Sequence, residues 1–179
     1  MTMLLAASAL VVSVLLMANL LALDQSSQTT GYTVLVDGKI KVVSHFTCTG
    51  DLGDRLVQLR NHIEALIDEH NIDEVIFEDI QLQDVNGNKE TGIKTFKVLA
   101  EVFGVVYELL NERKIKNSSV LPIKWKAHFK IAGKGRTQEK KMAQDYVLNN
   151  YAIKCTEDEA DSLCIALYHY TNSSNFDWS

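Results

Sequence analysis

A continuous apolar run with one acid at its end, NLLALD at residues 19–24, governs the interpretation of this chain. A run of this kind, without alternation of polar and apolar residues, is typical of a strand that is buried on both faces of a sheet. A second run, VIFE at residues 75–78, also ends in an acid. Because α/β sheets place their sites at the carboxyl ends of strands, Asp24 and Glu78 are predicted to lie at a functional edge.

The segments after the first run predict a β-meander. Residues 25–31, QSSQTTG, are small and polar and indicate a turn, and residues 32–36 then return as a second strand. Asp37-Gly38 is a typical hairpin dipeptide, and it leads into a third strand at residues 39–46. The chain is therefore expected to open with three strands that are neighbours in one sheet.

Later segments alternate between helical and strand patterns. The last helix has the clearest start, because Thr156 can act as its N-cap with Glu159 as the capping-box partner. The whole pattern predicts an α/β fold in one domain over residues 17–179, with a mixed sheet in which a three-strand meander continues into parallel strands, flanked by helices. The other predicted elements are helices at residues 52–70, 96–110 and 137–149 and a short strand at residues 118–123, ended by Pro122.

Two further acids, Asp158 and Asp161, stand three residues apart at the start of the last helix and so share one side of it. If they converge with Asp24 and Glu78, the four carboxylates repel one another unless cations neutralise them. Hard oxygen ligands suit Mg²⁺ or Mn²⁺, and two such ions about 4 Å apart serve phosphodiester hydrolysis. The pattern indicates a metal-dependent nuclease, with the alternative that the two helical acids only favour the helix macrodipole.

Several motifs in a fixed order give the chain a family resemblance. They are LDQS at residues 23–26 with TGY at 30–32, IFEDI at 76–80, GKG at 133–135 followed by Lys140 and Lys141, and DEADSL at 158–163 with His169. Across residues 19–169 the chain resembles the RuvC family of Holliday-junction resolvases, and it is most similar to the versions carried by bacteriophages.

The resemblance implies an RNase H-like fold, a homodimer and Mg²⁺-dependent, symmetric nicking of four-way DNA junctions. It also implies that Lys140 or Lys141 stands near the scissile phosphate. One position departs from the family, because Gln81 stands where an aromatic wedge is often found. The alternatives are a less selective RNase H-like nuclease and a branched-nucleic-acid-binding protein without catalysis. The catalytic acids implied by the resemblance, which would hold two metal ions, are Asp24, Glu78, Asp158 and Asp161.

Basic residues are concentrated between residues 114 and 141, where nine of the chain's 18 lysines and arginines face one acid, Glu139. Such a tract can bind phosphates although the whole chain has a formal net charge of -5. Trp125, His128 and Phe129 lie among these lysines and would suit stacking on unpaired bases. The alternative is a solvated edge strand whose lysines oppose aggregation. The predicted DNA-binding residues are Lys124, Lys126, Lys130, Lys134 and Arg136, of which the first three would form that edge.

The predicted helix at residues 96–110 is apolar on more than one face, so a monomer could bury only part of it. We expect this helix to form the surface of a homodimer, with extra core packing as the alternative. Its apolar residues include Val98, Leu99, Val102, Phe103, Val105 and Val106.

The three cysteines, Cys48, Cys155 and Cys164, form no CxxC pair, which indicates reduced thiols in a cytoplasmic protein, of a bacterial host if the chain is phage-encoded. Residues 1–16 are apolar and uncharged, like a signal h-region or a membrane segment too short to span. We interpret them as an extension from an upstream start or a vector, with the nuclease domain beginning at Met17, and we expect no membrane partner.

Overall fold

The computed structural model describes residues 18–81, 89–133 and 135–173. The predicted extension at residues 1–16 and Lys134 lie outside these ranges. None of the helices within them is long and apolar enough to cross a membrane. The described elements are β1 (Leu20–Asp24), β2 (Thr29–Val36), β3 (Lys39–Thr47), α1 (Leu52–His70), β4 (Glu74–Glu78), α2 (Lys89–Glu112), β5 (Lys116–Val120), α3 (Pro122–His128), α4 (Arg136–Tyr151) and α5 (Glu157–Ser173).

The strands form one mixed sheet in the order β3-β2-β1-β4-β5. β1 pairs antiparallel with β2, and β2 with β3, so the predicted meander is confirmed. β1 also pairs parallel with β4, and β4 with β5. The two strands that end in an acid are therefore direct neighbours, and Asp24 and Glu78 lie at the same edge of the sheet.

Helices cover both faces of the sheet, which explains why β1 is apolar on both sides. Leu21 and Leu23 belong to a core shared with α1 and α2. Leu20 and Ala22 belong to a second core shared with α3, α4 and α5. α5 lies across the middle of the sheet, in contact with β1, β2, β3 and β4. The predicted α/β architecture with a helix-flanked mixed sheet is confirmed.

The segment after α2, which forms β5 and α3, departs from the prediction. The strand is shorter than expected, at Lys116–Val120, and Pro122 begins α3 instead of ending the strand. Proline suits this place because its fixed φ matches the first turn of a helix, where its missing N–H has no helical partner to lose. Lys124 and Lys126 therefore lie on a helix and Lys130 follows it, so the edge-strand interpretation of these lysines is wrong.

The start of α5 is held closely against β2. The Thr156 N–H donates to Oε2 of Glu159 at 2.7 Å, and the Glu159 N–H donates to Oγ1 of Thr156 at 3.4 Å, so the predicted capping box is confirmed. A Cβ at Gly31 would stand 2.0 Å from the carbonyl oxygen of Asp158. Only glycine at this position lets α5 approach the sheet where its acids begin.

Gly31→Ala should destabilise the fold, because the added methyl group meets backbone atoms of α5 that cannot move without shifting the helix. We expect the free energy of unfolding, measured by urea denaturation, to fall by about 2 kcal/mol. Gly104→Ala is the matched control, because Gly104 lies in α2 with nothing within 4 Å of an added Cβ. Alanine there should raise stability by up to about 1 kcal/mol. Equal stability of Gly31→Ala and wild type would contradict the close approach of α5.

Candidate active site

The ends of β1 and β4 and the start of α5 meet at a cavity of about 690 Å³, which we name the acidic cavity. β1 contributes Asp24 and the neighbouring parallel strand β4 contributes Glu78. The first residues of α5 contribute Asp158 and Asp161 from a third direction. Lys140 of α4 lines the same space. The tertiary structure thus brings together four carboxylates that lie far apart in sequence.

Burial, together with repulsion from neighbouring acids, raises the proton affinity of Asp24 and Asp161. The pKa of Asp24 is well above its usual value, first because burial disfavours the charged form and then because of neighbouring charges, of which Glu78 has the largest effect. Burial also raises the pKa of Asp161 to about 7, although the charge of Lys140 opposes the rise. The cavity therefore disfavours negative charge on these two carboxyl groups, and such perturbed acids are typical of a functional site.

Lys140 reaches into the acidic cavity, whereas Lys141 points away from it. Nζ of Lys140 is 2.9 Å from Oδ1 of Asp158 and 3.9 Å from Oδ2 of Asp161, and its side chain is 12% exposed. Burial acts to lower the pKa of Lys140, but the hydrogen bond to Asp158 and the nearby negative charges outweigh it, so the pKa is raised. Lys141 is 74% exposed and pairs with Asp145, and neither lines the cavity. The sequence leaves the choice between the two lysines open, and of the two it is Lys140 that lines the acidic cavity.

Two side chains hold Glu78 in place. Gln25 donates from Nε2 to the backbone carbonyl of Glu78 at 2.6 Å, and its Oε1 accepts from the Glu78 N–H at 3.1 Å. The paired residues of β1 and β4 end at Leu23 and Phe77, so the Gln25 side chain extends this ladder to Glu78. The Trp125 indole N–H donates to Oε1 of Glu78 at 3.0 Å. Burial raises the pKa of Glu78, and this hydrogen bond opposes the rise.

Neither of these supports follows from sequence reasoning. Gln25 comes directly after Asp24, and a polar amide at the carboxyl end of an apolar strand is the sequence signal that could have identified it. The structure buries this side chain, which is 7% exposed. The sequence places Trp125 among residues suited to stacking on bases, but its side chain is 0% exposed and cannot reach DNA. No local pattern pairs it with Glu78, because 47 residues separate the two.

The predicted basic residues divide into two groups. Lys126 of α3 and Arg136 at the start of α4 line the acidic cavity, and Nζ of Lys126 is 3.0 Å from Oε2 of Glu139. Lys124 and Lys130 are exposed and lie away from the cavity wall. In the part of the chain that the structure describes, the positive rim of the cavity is formed by Lys126 and Arg136, next to Lys140.

The histidines that are paired in the structure stand outside the acidic cavity. Nε2 of His169, which the sequence places beyond Asp161 on the last helix, is 3.1 Å from Oε1 of Glu74 at the opposite end of β4. Nδ1 of His45 is 2.7 Å from Oε1 of Glu159. The three cysteines are free thiols, as predicted. The cavity is therefore a site of carboxylate and ammonium chemistry.

The donor set of the acidic cavity suits a divalent cation. Four carboxylates supply hard oxygen atoms, and added positive charge would offset the burial and the repulsion that raise the pKa of Asp24. As they stand, the side chains face different partners, since Asp158 accepts from Lys140 and Glu78 accepts from Trp125. Within the described ranges, accordingly, no three Asp, Glu, His or Cys side chains already stand as a metal-binding group. The fit rests on ligand chemistry and on the charge of the cavity.

A comparison with known protein families gives one match. The family model described as "Crossover junction endodeoxyribonuclease RuvC" matches residues 20–169 of the chain. A search of the curated proteins finds no match. The family match covers the four acids and both lysines, and it confirms the resemblance drawn from the motifs.

Solved structures of resolvases share the fold of this chain. RuvC of T. thermophilus in complex with a Holliday junction substrate is 14% identical, with a TM-score of 0.67 over 89% of this chain and 96% of that chain. The yeast mitochondrial Holliday junction resolvase Ydc2 is 17% identical, with a TM-score of 0.55 over 88% and 83%. The fowlpox virus resolvase with its Holliday junction DNA is 16% identical, with a TM-score of 0.51 over 87% and 98%. At these identities the likeness shows a common fold, and the predicted RNase H-like fold is confirmed.

Asp24→Asn should stabilise the protein in the absence of divalent cations. A carboxyl group whose folded-state pKa is raised adds stability below its unfolded pKa, near 3.8 for aspartate, and that stability is lost as the pH rises through the folded-state pKa. The amide variant cannot ionise and so escapes this loss. We expect the variant to melt higher than wild type at pH 8 in EDTA, where a gain of about 1 kcal/mol in stability would appear as a rise of about 2–4 °C for a chain of this size.

The difference in melting temperature should shrink as the pH falls towards 4, where the folded wild type also carries a protonated Asp24. Asp145→Asn is the matched control, because Asp145 is an exposed acid outside the cavity, and it should leave the melting temperature near the wild-type value at both pH values. A lower melting temperature for Asp24→Asn than for wild type at pH 8 would contradict the prediction, because it would mean that the surrounding groups stabilise the ionised form of Asp24.

Proposed function

Because the chain belongs to the RuvC family of crossover junction endodeoxyribonucleases, we propose that it is a divalent-metal-dependent endodeoxyribonuclease that resolves Holliday junctions and other branched DNA. The observation that carries the proposal is the convergence of the four predicted acids and Lys140 on a single cavity in a chain that matches this family over residues 20–169. The T. thermophilus and fowlpox virus proteins with this fold were solved with Holliday junction DNA, and we extend that substrate class to this chain.

The metal in this proposal is Mg²⁺ or Mn²⁺, with two ions per active site. When bound, such ions neutralise charge on the attacking and leaving oxygens of a phosphodiester. The protein presents the ligands from rigid elements, since Glu78 is held by Gln25 and Trp125 and the start of α5 is held by its capping box. The proposed ligands and catalytic acids are Asp24, Glu78, Asp158 and Asp161.

Lys140 is the proposed electrostatic catalyst. Its ammonium group would stabilise the negative charge that develops on the phosphate oxygens during attack. Nζ of Lys140 is already surrounded by Asp158 at 2.9 Å, Glu157 at 3.3 Å and Asp161 at 3.9 Å. The position of this positive charge is therefore set before DNA binds, which avoids reorganisation during the reaction.

The other basic residues are proposed to bind the DNA backbone. Lys126 and Arg136 line the acidic cavity and would contact the phosphates next to the cut. Lys124 and Lys130 are exposed further out and would contact phosphates at a greater distance. Lys134 belongs to the same basic tract of the sequence, and we assign it the same role.

The residue at the wedge position supports a second candidate function. Gln81 lines the acidic cavity at the place where the family often carries an aromatic residue. A polar side chain is poorly suited to separating stacked bases, which apolar wedges do in proteins that kink DNA. A less selective RNase H-like nuclease, which cuts branched and linear DNA alike, is therefore the alternative.

The proposed active unit is a homodimer that meets along α2. Val102 and Val106 are buried in the core of the protomer, but several apolar side chains of the same helix are not. A second copy would bury these side chains and relate two active sites by a two-fold axis, as symmetric cutting of a junction requires. The apolar residues of α2 that stay partly or largely exposed include Ile93, Val98, Phe103, Val105 and Tyr107, and the partly exposed Phe96 and Leu99 line the acidic cavity.

The domain boundaries and the compartment are also part of the proposal. We assign residues 17–179 to the nuclease domain, because the family match and every described strand and helix lie within them. We further propose that the protein acts in the cytoplasm, where its free thiols remain reduced.

Lys140→Met should abolish most of the cleavage, while Lys141→Met should not. The first variant removes the ammonium group that lies among the acids, and we expect single-turnover cleavage of a junction to slow by at least about 100-fold. The second removes an exposed ammonium group outside the cavity and should change the rate by less than about twofold. Circular dichroism of both variants establishes that the fold is retained. Loss of activity in Lys141→Met with full activity in Lys140→Met would reverse the assignment.

The proposed function is tested by cleavage of a labelled four-way junction and a matched linear duplex, with protein that starts at Met17. We expect paired nicks in the junction with Mg²⁺ or Mn²⁺, and binding without cleavage in Ca²⁺, whose larger and more flexible coordination suits this chemistry poorly. Glu78→Gln should bind the junction and fail to cut it. Asp145→Asn, which neutralises an exposed acid outside the cavity, should cut as wild type does.

The outcomes of this experiment separate the candidate functions. Equal cutting of junction and duplex would favour the less selective nuclease. Binding of the junction without cleavage under any metal condition would refute the enzyme and leave a branched-DNA-binding protein. Single, unpaired nicks would contradict the symmetric dimer, and sedimentation of the protein alone would then be expected to give a monomer.

A further inference from the structure

We propose that Trp125 is a positioning residue, whose indole N–H aims the carboxylate of Glu78 into the acidic cavity. The inference rests on the proposed function, in which Glu78 is a metal ligand of the nuclease. Trp125 is fully buried and does not line the cavity. Any effect of Trp125 on the reaction must therefore act through its neighbours, which include Glu78, by a hydrogen bond, and Lys126, whose Nζ lies 5.4 Å from the centroid of the indole ring. Phenylalanine keeps an aromatic ring for Lys126 and removes only the hydrogen bond to Glu78.

The contact between the two side chains is a well-formed hydrogen bond. Nε1 of Trp125 lies 3.0 Å from Oε1 of Glu78, which is the usual distance for N–H···O bonding. An indole N–H can only donate, so the bond engages one acceptor oxygen of the carboxylate. The second oxygen remains to act in the cavity that Glu78 lines.

The indole is held firmly enough to direct its partner. Trp125 belongs to the buried cluster that includes Ala143 and Val147 of α4 and Leu163 of α5. Pro122 fixes the start of α3 three residues earlier, directly after β5. The side chain of tryptophan has only two rotatable bonds, so a packed indole presents its N–H in one direction.

Glu78 needs such a partner because its backbone is fixed while its side chain is long. The Gln25 side chain forms hydrogen bonds with both the N–H and the carbonyl of Glu78. On its other side, the backbone of Glu78 pairs with Val120 of β5. Rotatable bonds still separate this backbone from the carboxylate, and they allow the oxygens to turn away from the cavity. The hydrogen bond from Trp125 removes that freedom before a metal ion or DNA binds, which lowers the ordering cost of binding.

A neutral donor is well suited to this position. A lysine or arginine in place of Trp125 would orient the carboxylate but would also cancel the charge that attracts a cation. The indole N–H orients Glu78 and leaves its negative charge in place, in contrast to the ion pair between Lys140 and Asp158. Removing an outer residue that orients a metal ligand typically costs about 10–100-fold in metal affinity or activity.

Trp125→Phe tests the role in catalysis, because phenylalanine keeps an aromatic ring and loses the N–H. At saturating Mg²⁺ we expect kcat for junction cleavage to fall by about 10–100-fold, and the half-saturating Mg²⁺ concentration to rise by about tenfold. The Kd for the junction, measured in Ca²⁺, should stay within about twofold of wild type, because buried Trp125 does not contact DNA.

Val147→Ala is the matched control for lost packing. Val147 is fully buried in the same cluster as Trp125, and its truncation should lower the melting temperature at least as much as Trp125→Phe does. Because Val147 makes no hydrogen bond to the site, its kcat should remain within about twofold of wild type. An equal loss of kcat in the two variants would assign the effect of Trp125 to packing and overturn the inference.

An NMR measurement tests the hydrogen bond without any catalysis. The chain has two tryptophans, Trp125 and Trp178, so a ¹⁵N-labelled protein gives two indole resonances, and Trp125→Phe identifies one of them by removing it. In metal-free Glu78→Ala, the indole proton of Trp125 should move upfield. Its hydrogen exchange should accelerate by at least about tenfold, because a bonded and buried N–H is protected from solvent.

The results distinguish this inference from the proposed function. Wild-type kcat and Mg²⁺ dependence in Trp125→Phe would overturn the inference and leave the nuclease intact. An indole resonance that does not respond to Glu78→Ala would do the same. Failure of the wild-type protein to cleave any DNA would refute the proposed function, and with it the role given to Trp125.

Discussion

The burial of carboxylates that converge on one cavity and repel one another is the constraint on which the rest of this structure depends. Burial and neighbouring charge raise the pKa of Asp24 well above its usual value and that of Asp161 to about 7. The folded protein therefore holds these two acids in a place where they ionise less readily than in water. A chain shaped only for stability would keep such groups apart or in water. Their convergence is the physical reason to infer that the cavity serves a cation.

The fold holds the acids by presenting them from separate rigid elements. Parallel pairing of β1 with β4 sets Asp24 and Glu78 side by side, and the side chain of Gln25 extends the ladder between the two strands to Glu78. A capping box fixes the start of α5, and the absence of a side chain at Gly31 lets that start approach β2. Lys140, from a fourth element, supplies the cation that lies among the acids. The strands and the capping box fix the backbone positions of the acids, and the charge of Lys140 reduces the repulsion among them.

Elements that depend on local pattern were predictable, and those that depend on packing were not. Apolar runs, the Asp37-Gly38 hairpin and the Thr156 capping box each act within a few residues, and the structure has all of them where the sequence places them. Pro122 misled the prediction because proline suits both the end of a strand and the first turn of a helix. The helix forms here with Trp125 buried beneath it, in contact with a residue 47 positions away.

By itself the sequence determined the family, the α/β class with its opening meander, and the four acids that meet in the cavity, because residue type and local spacing carry this information. Only the tertiary structure decided that Lys140 and not Lys141 joins the acids, and that Trp125 faces Glu78. Neighbouring residues on a helix point about 100° apart. Which of them enters a site is therefore decided by how the helix packs against the sheet, through contacts between residues that are distant in the chain.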